Sequence, residues 1–97
     1  MAAITMEQQT ADADQASPEQ HIAGLRNRID EIDAAIVALW KERAAISQEV
    51  GKTRVAAGGT RLVLSREREI LERFSTELGA DGTQLALLIL RAGRGPL

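Results

Sequence analysis

Ile22, Leu25, Ile29, Ile32, Ile36 and Leu39 follow one another at alternating steps of three and four residues. That spacing is the apolar seam of a long helix with a heptad repeat. Arg43 occupies the next seam position, and Ile46 and Val50 resume the pattern after it. An always-charged guanidinium on a buried stripe is costly unless an anion meets it. The anion must come either from another part of the protein or from a ligand.

Local signals set the ends of this helix. Ser17-Pro18-Glu19-Gln20 reads as a helix start, with Ser17 as N-cap, Pro18 at the first helical position and Gln20 completing a capping box. No breaker follows until Gly58-Gly59, so the helix is expected to reach about Ala57. Some forty helical residues span roughly 60 Å, whereas a compact chain of this size is only about 30 Å across. One chain cannot cover such a seam, and a two-fold homodimer is the commonest remedy.

After a loop from Gly58 to Leu64, Ser65 is placed to cap a second helix carrying Ile70, Leu71, Phe74 and Leu78, which Gly79 ends. Asp81 and Gln84 suggest another capping box, opening a third helix through Leu85, Leu87, Leu88, Ile89 and Leu90. Apolar residues nearly surround that helix, so deep burial is expected. Gly93-Arg94-Gly95-Pro96 stops it. The expected fold is all-α, one long helix and two short ones in an intertwined homodimer, with residues 18–97 as the domain. Residues 1–17 are polar and aperiodic, and are expected to be a disordered tail.

Composition narrows the function classes. There is no cysteine and one histidine, His21, so thiolate metal sites, histidine-rich metal sites and a Ser-His-Asp triad are excluded. A net charge of −2 and only two aromatics, Trp40 and Phe74, disfavour a nucleic-acid interface. Neither a signal peptide nor a membrane anchor is visible in the first seventeen residues, and a cytoplasmic location is expected. The positive charge comes from ten arginines against two lysines. That ratio suits planar binding of carboxylate or phosphate, although a GC-rich genome would produce it too.

Arg43 and Arg54 lie eleven residues apart, which is three helical turns plus about 20°, so they share a face about 16 Å apart along the axis. Two long side chains there could hold opposite ends of a small dianion. Arg26 lies about 25 Å from Arg43 along the same helix and could reach that ligand only from a partner chain. An antiparallel crossing near Ala34-Ala35, where small side chains permit close approach, would bring it there. Glu67 suits the positive end of the second helix, whereas Arg66 in the same turn does not, so something outside that helix is expected to use it.

Taken in order, Arg26, Ile29, Asp30, Asp33, Leu39 and Arg43, then Gly51-Lys52-x-Arg54, then Arg66-Glu67, resemble the all-helical chorismate mutases across about residues 19–95. The stretch from Gly58 to Glu67 and the ending Leu90-Arg91-x-Gly93-Arg94-Gly95 are similar to the short actinobacterial subgroup. The resemblance implies an intertwined homodimer that rearranges chorismate to prephenate, on the route to phenylalanine and tyrosine, without a cofactor. It implies that Arg26 of the partner subunit and Arg43 bind the substrate carboxylates and that Arg54, the main catalytic residue, faces the breaking ether oxygen and an adjacent carboxylate. Arg66 would add positive charge, Glu67 would accept a hydrogen bond from the ring hydroxyl, and Thr60 and Val63 would line the pocket. Better-known members carry a lysine at the position of Arg54, an aspartate at that of Val63 and a side-chain amide in the last helix. In the subgroup, a complex with DAHP synthase activates such sites, so that enzyme is the expected partner.

Two other readings fit the same pattern. An isochorismate pyruvate lyase shares the fold and takes a similar anionic substrate. A non-catalytic helical dimerisation module would pair Arg43 with a seam-facing acid such as Asp33, but leaves Arg66 and the shared face of Arg43 and Arg54 unexplained.

Overall fold

The computed structural model describes residues 17–95, which leaves residues 1–16 of the expected tail outside the described part. Among the described residues there are three helices and no strand: α1 Pro18–Ala56, α2 Leu64–Leu78 and α3 Ala80–Arg94. Internal contacts divide the chain into two units, one ending at Ile36 and the other starting at Val37. The described part of the first unit is the leading half of α1. The second contains the rest of α1 with α2 and α3.

Reciprocal capping starts α1. The Ser17 amide donates to Gln20 Oε1 at 3.0 Å, and the Gln20 amide donates to Ser17 Oγ at 3.2 Å. At the other end Gly58 takes φ 86°, its amide donates to Val55 O at 3.0 Å, and the Gly59 amide donates to Arg54 O at 2.7 Å. These two bonds form a Schellman motif, which satisfies the last carbonyls of α1 and fixes the direction in which the loop leaves.

Two expected caps are not formed. Val63, in extended conformation, precedes α2, so Ser65 lies inside the first turn and makes no capping bond. Gly79 is the residue before α3, so Asp81 is the second helical residue rather than its cap. With φ 71°, Gly79 ends α2 and starts α3 in one residue, a conformation that glycine adopts without strain. Such a short connection leaves no room for a separate cap.

The core of the second unit is Ile70, Ala86 and Leu90, against which Leu71 and Phe74 pack. Gly82 makes this α2–α3 contact possible, because a Cβ there would collide with the Phe74 carbonyl. Gly82→Ala is expected to destabilise the fold by about 3 kcal/mol, read as a lower denaturation midpoint at fixed protein concentration.

Deep burial of α3 is not found within one chain: Leu85, Leu87 and Leu88 are 38%, 46% and 45% exposed. Only the face with Gly82, Ala86, Leu90 and Gly93 is covered, since the chain supplies neighbours on that side alone. The seam of α1 is likewise uncovered, from Ile32 at 42% exposed to Leu39 at 62%. In its second half α1 meets the rest of its own chain along a stripe that adjoins the seam at Arg43 and continues through Ala44, Ser47, Gln48 and Gly51. Ser47 lies against Gly93, and Gln48 Nε2 donates to Ala92 O at 3.0 Å, fixing the last turn of α3. Among the described residues no helix is long and apolar enough to cross a membrane.

Candidate active site

Within the second unit, α1, the α1–α2 loop, α2 and α3 enclose an open cavity of about 350 Å³. From α1 come Arg43, Ser47, Gly51 and Arg54, with Ile46 and Val50 from the seam. The loop adds Arg61, Leu62 and Val63; α2 adds Arg66, Glu67 and Ile70; and α3 adds Leu90, Gly93 and Arg94. Ile70 and Leu90 belong to the buried core, so an apolar floor lies beneath a charged wall.

The charge is strongly one-sided, with five arginines and a single carboxylate, that of Glu67, on the wall. Arg94 Nε lies 3.6 Å from Glu67 Oε1, an ion pair longer than a hydrogen bond. Arg66 pairs with Glu69 on its own helix at 3.4 Å, an exposed contact of small energetic weight. Among the described residues no carboxylate forms an ion pair with Arg43. Partial burial lowers the pKa of its guanidinium, and the positive charge of Arg66 lowers it further. The group stays charged at working pH, so both effects oppose a cation that an incoming anion would stabilise.

The expected residues are distributed unevenly. Arg43, Arg54, Val63, Arg66 and Glu67 all line this one cavity. Thr60 does not, and its hydroxyl donates instead to the Leu62 carbonyl at 3.0 Å. Arg26 belongs to the first unit and is not among the lining residues of the same chain. The sequence assigns no role to Arg61, because one arginine in a glycine-rich loop has no periodicity to place it. Arg94 also arrives from the chain end, positioned by the close approach of Gly93 to Ser47, where an added Cβ would lie 2.6 Å from Ser47 Oγ. Among the described residues no cluster of three His, Cys, Asp or Glu side chains could hold a metal ion.

An all-helical scaffold that concentrates arginines around a small, apolar-floored cavity has the charge and shape that suit a compact polyanion. Comparison with known proteins makes the class specific. Residues 25–88 match the family described as chorismate mutase type II, and the chain belongs to that family. It is 54% identical over 83 residues to the intracellular chorismate mutases of Mycobacterium tuberculosis and Mycobacterium bovis, covering 86% of this chain and 78% of each relative. Its identity to the intracellular chorismate mutase of Mycolicibacterium smegmatis is 51%, covering 84% of this chain and 77% of that one. Among solved structures it resembles the non-covalent complex of DAHP synthase and chorismate mutase from Corynebacterium glutamicum with a bound transition state analog. That match has a TM-score of 0.77 and 44% identity, and covers 81% of this chain and 95% of the other.

Proposed function

We propose that this protein is an isomerase that rearranges chorismate to prephenate in the arginine-lined cavity. The observation that carries the reading is the excess of guanidinium groups around a cavity of suitable size, in a chain of the chorismate mutase family. In this Claisen rearrangement the ether C–O bond breaks as a C–C bond forms within one molecule. It requires no nucleophile, proton transfer or cofactor. Holding the two reacting ends in a near-attack conformer and stabilising negative charge on the departing ether oxygen are sufficient. Arg43 binds one carboxylate, Arg54 donates to the ether oxygen, Arg66 adds positive potential, and Glu67 accepts from the ring hydroxyl, with Val63 beside it.

The working unit is a homodimer. The uncovered seams of α1 and the exposed leucines of α3 support this reading, since burying them against a second copy would contribute about 1.5–3 kcal/mol for each side chain fully buried. An antiparallel pairing of long helices, crossing near Ala34-Ala35, brings Arg26 of the partner subunit to the cavity. A DAHP synthase is the proposed activating partner, by analogy with the Corynebacterium glutamicum complex.

Incubating the purified chain with chorismate and following its loss together with prephenate formation tests the reaction. Turnover above the uncatalysed rate is expected, and more of it when the cognate synthase is added. No turnover in either condition would refute the assignment, and equal turnover in both would refute activation.

A further inference from the structure

Arg61 lines the cavity, yet none of the roles assigned so far uses it. Its loop is fixed at both ends, by the Schellman motif after α1 and by the start of α2 at Leu64. From this loop its side chain lies back across α1 at Gly51. A Cβ added at Gly51 would stand 3.0 Å from Arg61 Cγ, 3.7 Å from Cδ and 3.9 Å from Nε.

Gly51 is the one buried residue among those of α1, and it sits in a helix interior, where glycine is disfavoured relative to alanine. Its backbone gives no reason for glycine, because the positive-φ glycines are Gly58, Gly79 and Gly95. Space does give one. Without a side chain at Gly51, the Arg61 stem can rest on the helix and its cation can share the cavity wall with Arg54, one turn further along.

We propose that Arg61 is a further binding residue for the dicarboxylate held in this cavity, and that Gly51 is the positioning residue that seats it. The inference rests on reading the cavity as the site for chorismate and prephenate. Arg61 supplies a charge from the loop to a carboxylate that α1 approaches from the other side. Gly51 acts only through the space it leaves.

Calorimetric titration of the full chain with prephenate tests this without requiring turnover. Arg61→Ala is expected to weaken prephenate binding about tenfold and to make it less sensitive to salt, with Arg61→Lys intermediate. Gly51→Val should weaken it similarly, but should add little in the Arg61→Ala background, because the residue it displaces is already gone. Should Gly51→Val fail to fold, as read by circular dichroism, the Arg61 variants in the exposed loop decide the question. Unchanged affinity in Arg61→Ala, or no prephenate binding by the unaltered chain, overturns the proposal. A full Gly51→Val loss persisting in the Arg61→Ala background overturns the seating role. Binding that depends on Arg61 in a chain that does not rearrange chorismate would support this inference while refuting the proposed function.

Discussion

Arg54→Ala is expected to lower kcat/KM for chorismate by at least about 100-fold, equivalent to roughly 3 kcal/mol of transition-state stabilisation. The size follows from the chemistry. A pericyclic rearrangement gives the protein no bond to make, so its leverage lies in substrate conformation and in the charge on the ether oxygen. The Arg54 backbone is fixed at the end of α1, because its carbonyl accepts the Gly59 amide at 2.7 Å, and its side chain lines the cavity. A donor held in this way needs little reorganisation as charge develops. Arg54→Lys, which keeps the charge, should retain much more activity than Arg54→Ala. Steady-state kinetics on both variants provides the check, and an alanine variant within a few-fold of the unaltered chain would exclude Arg54 from the reaction.

A mixture of Arg26→Ala and Arg54→Ala chains should be more active than either variant alone. If each cavity takes Arg54 from one chain and Arg26 from the other, both homodimers carry a defect in every site. After exchange of subunits, half of the dimers are mixed, and each mixed dimer holds one cavity with both arginines and one with neither. Activity should therefore rise from near background to about one quarter of that of the unaltered chain. No gain after verified subunit exchange would mean that Arg26 does not act across a dimer interface. The same experiment tests dimerisation, since a monomer gives complementation no route.

Much of the helical framework was legible in the sequence because its signals are local. Ser17 and Gln20 specify the first cap within four residues, and Gly58 and Gly79 mark conformations that other residues adopt only with strain. The expected caps at Ser65 and Asp81 failed for a related reason. Capping residues compete with whatever the neighbouring connection demands, and Gly79 serves as both the end of α2 and the beginning of α3. Deep burial of α3 is not met within one chain, because an all-round apolar helix records how much surface needs cover and not which chain covers it.

The cavity shows the same division. Arg43 was visible as a charge on an apolar seam, and Arg54 as its companion on one face of one helix. Arg61 was not, since it comes from a loop, and Arg94 was legible only as a charge that could lie near the site from the end of α3. No periodic pattern connects them to residues of α1 that are distant in sequence.

By itself the sequence determined the three helices, the long apolar seam and the misplaced cation within it, because caps, glycines and heptad spacing act over one or two turns. Only the tertiary structure decided which face of α1 meets the α1–α2 loop and α3. That face carries Ala44, Ser47 and Gly51, residues too small to leave a hydrophobic signal and chosen for the space they leave. Close approach at those positions brings Arg61 across Gly51 and Gly93 onto Ser47, and so completes a cationic wall that no stretch of sequence contains.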